Sequence, residues 1–164
     1  MGTGKSSVGR LVADQLHFTF LDTDDVLVSR AGKPIAEIFA QEGEPAFREK
    51  ESALVHELTL RTRTVISTGG GLPVNPANLA SLKTHALVMC LWASPEKIHE
   101  RVHGQSHRPL LNDPDALAKI RALLAAREPS YRQADVLVNT EMRSVREVAH
   151  QVIHQYRLAL SAHR

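Results

Sequence analysis

Short apolar runs alternate along this chain with longer segments in which apolar residues recur at helical spacing. Runs typical of buried strands cover residues 19–21, 64–67, 86–91 and 135–139. Between them, apolar side chains stand three and four residues apart, as in Val8, Leu11, Val12 and Leu16. Because strands and helices alternate, the pattern predicts an α/β domain with a parallel sheet.

Turn residues divide the helical segments. Gly32 and Pro34 predict the end of one helix, a short helix follows over residues 35–39, and Gly43 opens a longer one. The segment 115–127 predicts a core-packed helix that the sequence around Pro129 ends or kinks. A closing helix is expected over residues 144–160, with these side chains facing inward: Val145, Val148, Val152, Ile153 and Tyr156.

The first residues form the second half of a phosphate-binding P-loop pattern: Gly2, Thr3, Gly4, Lys5, Ser6 and Ser7. In such a loop, backbone N–H groups converge on phosphate oxygens at the positive end of a helix dipole. Lys5 would reach the outer phosphates, and the Ser6 hydroxyl would ligate Mg²⁺. A glycine-rich tail is the alternative, but helical spacing begins directly after Lys5 and favours phosphate binding.

The complete P-loop signature includes a glycine that would lie upstream of Met1. The apolar strand that leads into such a loop would lie upstream as well, and in an open parallel sheet it is a central strand. We therefore expect this chain alone to fold less stably and to transfer phosphate more slowly than a version preceded by that strand and glycine.

Two predicted strands end in residues suited to ligand binding, which in open α/β sheets occurs beyond the carboxyl ends of the strands. Asp22 and Asp24 follow the first strand, where they could carry chemistry or could simply cap the next helix. Gly69, Gly70 and Gly71 follow the second, where they could admit a ligand close to the backbone or form a flexible turn. We favour the ligand interpretation for the glycines.

Arginines add positive charge to this pattern. Arg48 lies near the start of a predicted helix, where the dipole disfavours a cation, so either an anionic partner or solvent must stabilise it. Arg101 and Arg108 bracket a polar segment that is typical of a mobile lid over a phosphate. The lid histidines have no cysteine or acidic partner at ligand spacing, so zinc is not expected.

The bulk composition narrows the class of protein. With 164 residues, 43% of them hydrophobic and 23% charged, the chain is expected to form one soluble domain over residues 1–164. A net charge of +2 does not favour nucleic acid as the main partner. The absence of a signal peptide or long apolar run predicts no membrane contact, and the one cysteine, Cys90, fits a buried thiol in a cytoplasmic protein. A monomer is the default expectation.

A series of motifs resembles the shikimate kinase family, a branch of the nucleoside-monophosphate-kinase-like P-loop kinases. They occur in the family's order and at its usual separations over nearly the entire sequence: GxGKS at 2–6, LDTD at 21–24, GKPIxxIF at 32–39, GExxFR at 43–48, GGG at 69–71, RPLL at 108–111 and RxPxY at 127–131. The resemblance implies a three-layer α/β/α P-loop kinase fold with a mostly parallel central sheet. It also implies a P-loop at 1–7, a substrate-binding region at about 23–52 and a mobile lid at about 102–114.

The resemblance implies roles for the acceptor side of the site. Asp22 would join Ser6 in binding Mg²⁺, while Asp24 would hold substrate hydroxyls and is the candidate general base. Arg48 and Arg127 would clamp the shikimate carboxylate. The backbone of three glycines would lie beside the substrate ring: Gly69, Gly70 and Gly71.

On the nucleotide side, the resemblance implies that ATP binds to the P-loop residues and to three arginines. Lys5 and the lid residue Arg108 would meet the transferred phosphate. Arg101 matches a nucleotide-contacting arginine, and Arg143 is expected near the adenine. Phosphoryl transfer relies mainly on positioning and on neutralising negative charge, which these cations and Mg²⁺ would supply.

The implied reaction converts ATP and shikimate to ADP and 3-phosphoshikimate, a step of chorismate and aromatic amino acid biosynthesis. A related kinase such as gluconate kinase is one alternative, but the motifs around Arg48 and Arg127 favour a carboxylate clamp. A non-catalytic ligand sensor of the same fold is the other, and such a domain would be expected to lose the aspartate pair or Arg108. The sequence retains Asp22, Asp24 and Arg108.

Overall fold

A computed structural model describes residues 2–102 and 115–162 of the chain. Within these ranges the strands are β1 (Thr19–Asp22), β2 (Thr64–Ser67), β3 (Met89–Trp92) and β4 (Val136–Asn139). The helices are α1 (Lys5–Leu16), α2 (Thr23–Ala31), α3 (Ile35–Leu58), α4 (Pro76–His85), α5 (Pro95–Val102), α6 (Ala116–Tyr131) and α7 (Val145–Ala162), with a 3₁₀ turn at Leu72–Val74. The predicted α/β class is confirmed.

Two compact units each contain one parallel pair of strands. In the unit formed by Gly9–Val88, β1 pairs with β2, and Asp22 lies opposite Ser67. In the unit formed by Met1–Val8 and Met89–Arg164, β3 pairs with β4, and Trp92 lies opposite Asn139. Parallel neighbours require long crossovers, which the helices provide here. The single domain expected over residues 1–164 stays a prediction.

The second helix, α2, begins and ends at the residues that the sequence indicated. Asp22 is its N-cap, and its Oδ1 accepts a hydrogen bond from the Asp24 N–H at 3.1 Å. Gly32 follows the helix with φ 66°, and its N–H donates to the Val28 carbonyl at 2.9 Å. Glycine suits this position because other residues pay a steric cost in the left-handed region.

The two helices predicted over residues 35–58 form one element, α3, with a kink. Gly43 has φ 83° and ψ 164°, so the helical path is interrupted where the sequence predicted the second helix to open. Pro45 is tolerated because it lies in the first turn after the kink, where its missing N–H would have no helical partner.

One predicted strand boundary and one predicted side-chain orientation were wrong. The strand predicted over residues 86–91 is Met89–Trp92. The helix predicted to end or kink around Pro129 ends at Tyr131, within the segment that the sequence indicated, and its proline in the last turn costs only one bond to the preceding turn. Val145, predicted to face inward, is 44% exposed because it is the first residue of α7, while Val148 and Ile153 are buried as predicted.

Each unit has its own apolar cluster. In Gly9–Val88 the main cluster consists of Leu27, Ile38, Phe47, Leu54 and Leu58. In the other unit, α5 and α6 pack through Ile98, Val102 and Ile120, together with Ala93 from the segment after β3. Cys90 in β3 is half-buried, and burial raises the pKa of its thiol. No helix among the described residues has both the length and the apolar character needed to cross a membrane.

Leu54→Ala should lower the free energy of unfolding by about 2–5 kcal/mol, because it removes a buried side chain and leaves a cavity. Leu54 is 2% exposed, whereas Leu60 is 86% exposed and provides a matched control. Urea unfolding followed by circular dichroism measures both variants, and Leu60→Ala should stay within about 0.5 kcal/mol of the unsubstituted chain. Equal losses in the two variants would contradict the assignment of this core.

An ion bracket spans the kink of α3. The Glu42 carboxylate lies 2.7 Å from Lys33 Nζ and 3.1 Å from Lys50 Nζ. It therefore links Lys33, which precedes α3, to the part of α3 that follows Gly43. The hydrogen bonds from Lys33 and Lys50 lower the pKa of Glu42 below its ordinary value of 4.5. The bracket therefore stabilises the folded chain above that value and is lost as the pH falls through the lowered folded pKa.

Glu42→Gln should consequently reduce the loss of stability that the chain shows on acidification from about pH 5 to pH 3. Urea midpoints measured across this range test the expectation, with exposed Glu49→Gln on the same helix as the control. A Glu42→Gln chain whose stability falls as steeply with acid as the unsubstituted chain would show that the bracket contributes nothing.

Candidate functional site

The glycine-rich start of the chain forms a loop that runs directly into α1. Gly2 and Gly4 have φ values of 68° and 86°, a region that disfavours residues with a side chain. A Cβ on Gly2 would also lie 2.9 Å from a Val102 methyl carbon. Because α1 begins at Lys5, the positive end of its dipole faces this loop, as the P-loop interpretation requires.

This loop lines a cavity of about 520 Å³, which we call the loop cavity. Its other lining residues come from α1, the end of α5, the segment after β4 and the start of α7: Val8, Arg101, Val102, Thr140, Arg143, Ser144, Val145 and Val148. The predicted residues of the P-loop therefore share one cavity with Arg101 and Arg143. Sequence reasoning missed Thr140, Ser144 and Val145, although their position after a strand's carboxyl end was an available signal.

The loop cavity has the chemistry of an anion site. Lys5, Arg101 and Arg143 supply positive charge, and the loop supplies a helix N-terminus. Thr3 is 6% exposed, and its Oγ1 is a buried polar atom without a hydrogen-bond partner. Because buried hydroxyls rarely stay unpaired, an incoming ligand oxygen is a natural partner. These residues fit a nucleotide phosphate group.

Both cavity arginines bond to backbone at the end of β4 and directly after it. Arg101 donates to Thr140 Oγ1 at 2.9 Å and also to the Thr140 carbonyl. Arg143 Nη1 donates to the Asn139 carbonyl and to Gln151 Oε1, each at 2.8 Å. Consecutive backbone carbonyls therefore orient two guanidinium groups in the same cavity.

A second polar cluster lies in the unit Gly9–Val88, at the carboxyl ends of β1 and β2. Thr23 is fully buried, and its Oγ1 accepts a hydrogen bond from the Gly69 N–H at 3.0 Å. This bond holds the glycine segment against the residues that follow β1. Asp22 caps α2, so the capping alternative is correct for this residue, while its role in metal binding stays a prediction.

Arg48 is clamped between carboxylates rather than solvated. Its Nη1 donates to Glu51 Oε2 at 2.7 Å, its Nη2 donates to Glu44 Oε1 at 2.6 Å, and its Nε donates to the same Glu44 oxygen at 3.1 Å. Burial alone would lower the pKa of Arg48, but the bonds to Glu51 and Glu44 outweigh it and raise the pKa. The guanidinium carbon also lies 5.6 Å from the Phe47 ring centre, within cation–π range.

Sequence reasoning missed Glu51, which is 1% exposed. Its signal was its position three residues after Arg48, because residues at that spacing are neighbours on a helix. A buried carboxylate is costly unless it is paired, so the ion pair fixes both partners.

The glycines make room for these charged groups. A Cβ on Gly69 would lie 2.5 Å from Asp24 Oδ1 and 3.3 Å from Glu51 Oε1. A Cβ on Gly71 would lie 2.7 Å from Arg48 Cζ. Because neither glycine has a side chain, the side chains of Asp24, Glu51 and Arg48 can pack directly against the backbone of residues 69–71. A flexible turn alone does not account for this packing.

The remaining predicted residues lie elsewhere. Arg127 is on α6, where it lines a small apolar cavity with Tyr131 and Ile98. Because Arg127 and Arg48 belong to different units, their joint clamp stays a prediction. Arg108 and residues 103–114 of the predicted lid lie outside the described residues.

The comparison with protein families decides the relationship. A family model described as shikimate kinase matches residues 1–157. The chain belongs to the shikimate kinase family. The resemblance inferred from the motifs is thereby confirmed, and membership makes the chain an enzyme, a kinase. Neither the sensor nor the gluconate kinase alternative is favoured.

Individual shikimate kinases agree with this assignment. The one from Caldanaerobacter subterraneus subsp. tengcongensis is 42% identical over 156 residues, covering 95% of this chain and 91% of its own length. The one from Thiobacillus denitrificans is 45% identical over 146 residues, covering 88% of this chain and 80% of its own.

Solved structures of shikimate kinases share the fold. The structure from Acinetobacter baumannii, in complex with shikimate, has a TM-score of 0.89 and 36% identity, and the match covers 99% of this chain and 89% of that one. The structure from Aquifex aeolicus has a TM-score of 0.83 and 32% identity, with coverage of 96% and 92%. The P-loop kinase fold implied by the motifs is confirmed.

Proposed function

We propose that this chain transfers the γ-phosphoryl group of ATP to the 3-hydroxyl of shikimate, giving 3-phosphoshikimate and ADP. The observation that carries the proposal is the acceptor cluster, in which Asp24 and the Arg48–Glu51 pair surround Gly69 and Gly71. A carboxylate beside an oriented guanidinium suits a small acid that carries hydroxyl groups. Shikimate kinase family membership identifies that acid as shikimate.

Arg48 has N–H donors available for a substrate carboxylate. A guanidinium has five N–H donors, and the bonds to Glu44 and Glu51 use three of them. Donors on Nη1 and Nη2 therefore remain for a bidentate contact with a substrate carboxylate. Since two glutamates already share the charge of Arg48, a third carboxylate needs a further cation, and we assign that role to Arg127.

Asp24 would act on the acceptor hydroxyl. In the proposed step the hydroxyl oxygen attacks the γ-phosphorus, its proton passes to the Asp24 carboxylate, and the bond to the ADP oxygen breaks. A loose transition state requires little early proton removal, so orienting the hydroxyl is part of the same role. The backbone of Gly69, Gly70 and Gly71 would lie beside the substrate ring.

The loop cavity would hold ATP. The loop from Gly2 to Ser7 would bind the phosphates, Lys5 would neutralise charge on the transferred group, and Arg101 and Arg143 would contact the remainder of the nucleotide. Arg108 is assigned to the transferred phosphate by resemblance alone. Val145, exposed at the start of α7, adds an apolar surface to the same cavity.

Ser6 and Asp22 are the residues that we expect to hold Mg²⁺. Among the described residues, no group of three or more His, Cys, Asp or Glu side chains is placed to hold a metal. A magnesium ion that takes most of its ligands from phosphate and water needs no such group. When bound, the ion neutralises phosphate charge. The cytoplasmic location, the monomeric state and the absence of nucleic acid or membrane partners stay predictions.

A coupled assay of ADP release tests the proposal, with Mg²⁺-ATP and either shikimate, gluconate or no acceptor. We expect turnover that depends on shikimate and on magnesium. Turnover with gluconate alone would contradict the proposed acceptor, and equal ADP release without any acceptor would indicate simple ATP hydrolysis.

Asp24→Asn should lower kcat with shikimate by about 100-fold or more, because the amide cannot accept the hydroxyl proton. Asp25→Asn is the matched control, since the Asp25 side chain is 72% exposed and pairs only loosely with Arg10 at 3.5 Å. It should leave kcat within about twofold. The same assay measures both variants, and an active Asp24→Asn enzyme would refute the proposed role.

Gly69→Ala and Gly71→Ala should impair different steps. A methyl group at residue 69 displaces Asp24, so kcat should fall, whereas one at residue 71 displaces the guanidinium of Arg48, so the KM for shikimate should rise. We expect changes of at least about tenfold, since each displaces a group by a sizeable part of an ångström. Urea midpoints control for folding, and identical kinetic effects in both variants would argue against the division of roles.

A further inference from the structure

We infer that Thr140 is a positioning residue for nucleotide binding, acting by orienting the guanidinium of Arg101 in the loop cavity. The inference rests on the proposed function in one respect, because it takes the ligand of this cavity to be an adenine nucleotide. Of the two residues concerned, Arg101 belongs to α5 and Thr140 to the segment that follows β4.

Thr140 is itself fixed to the end of β3. It is 2% exposed, and its backbone N–H donates to the Trp92 carbonyl at 3.0 Å. Its hydroxyl donates to the same carbonyl at 3.2 Å. A threonine hydroxyl has a single proton. Because that proton is donated to the Trp92 carbonyl, the oxygen can act only as an acceptor toward any other partner.

A further partner of this oxygen is Arg101. Its Nη1 donates to Thr140 Oγ1 at 2.9 Å, while its Nη2 donates to the Thr140 carbonyl and, at 3.4 Å, to the Glu141 carbonyl. Bonds from two terminal nitrogens to one residue fix the plane of a guanidinium as well as its position.

The same segment also holds the other end of α5. Glu141 Oε1 accepts a hydrogen bond from the Ser94 N–H at 2.7 Å, and Ser94 Oγ in turn accepts from the Lys97 N–H at 3.3 Å at the start of the helix. Glu141 therefore bonds to the start of α5, and Thr140 bonds to Arg101 near its end. An arginine held in this way loses less side-chain entropy when a ligand binds, which favours affinity.

Thr140→Val separates this role from folding. Valine retains the shape of threonine but removes the hydroxyl. The Trp92 carbonyl still accepts the residue 140 N–H, so the substitution does not leave it unpaired. Thr140→Ser restores the hydroxyl and should restore function. Thr84→Val is the matched control, since Thr84 is exposed on α4 and its hydroxyl bonds only to neighbours in sequence, the Ser81 carbonyl at 2.7 Å and His85 Nδ1 at 3.4 Å.

Calorimetric titration with Mg²⁺-ADP, without any acceptor, measures binding directly. Thr140→Val should raise the Kd for ADP and the KM for ATP by about tenfold, as expected for loss of one hydrogen bond to a charged group. The kcat and the KM for shikimate should change by less than about twofold. Thr140→Ser and Thr84→Val should match the unsubstituted chain within about twofold in every parameter.

A double-mutant cycle with Arg101→Met decides between positioning and a general structural effect. If Thr140 acts through Arg101, adding Thr140→Val to Arg101→Met should change the Kd for ADP by less than about twofold. An undiminished tenfold effect in that background would overturn the inference, as would an unchanged Kd in the single variant. Should valine lower the urea midpoint, Thr140→Ala must reproduce the same loss of ADP affinity at a temperature where both variants are folded.

The experiment also separates this inference from the proposed function. Nucleotide binding that responds to Thr140→Val in a chain without shikimate turnover would refute the proposed reaction and support the inference. A chain that fails to bind ADP at all would overturn the inference.

Discussion

The ion pair between Arg48 and the buried carboxylate of Glu51 is the interaction on which the acceptor side of the site depends. Without a cation, a carboxylate at this depth would be strongly destabilising, so the pair holds Arg48 in a single orientation. Glu51 is 1% exposed and also lies close to Gly69, while the guanidinium of Arg48 lies over Gly71. The buried charge therefore orients Arg48 over Gly71, and Glu51 together with the nearer Asp24 leaves room only for glycine at residue 69.

The nucleotide side follows the same physical principle with different groups. Arg101 donates to the hydroxyl and the carbonyl of Thr140, and Arg143 donates to the Asn139 carbonyl and the Gln151 amide oxygen, all of which are neutral acceptors. Neutral acceptors orient an arginine without cancelling its charge, which suits a site for polyphosphate. At Arg48 two carboxylates offset the positive charge, so the proposed carboxylate site needs the further cation assigned to Arg127. In both proposed sites the protein itself orients the arginine, which would reduce the entropy lost on ligand binding.

Asp22 caps α2 and is also the proposed metal ligand, so one side chain is assigned both a structural and a chemical role. Its Oδ1 caps α2, and a carboxylate has further lone pairs for another partner. The capping bond also directs the chain so that Asp24 in the first turn of α2 lies against Gly69. The local choice of an N-cap thus places the candidate base.

Local interactions allowed the sequence by itself to determine much of this protein. The start of α1 at Lys5, the end of α2 at Gly32 and the break at Gly43 follow from glycine, proline and capping preferences, which act over a few residues. The motifs also identified the family, because their order and separations survive without any knowledge of contacts. Tertiary structure decided which of these residues are buried and which share a cavity. Glu51 stands at helical spacing from Arg48, and Thr140 and Val145 follow a strand, but only packing buries Glu51 and places Thr140 and Val145 in the loop cavity. Burial converts an unremarkable glutamate and threonine into determinants of orientation, because a polar group removed from water must find its partners within the protein.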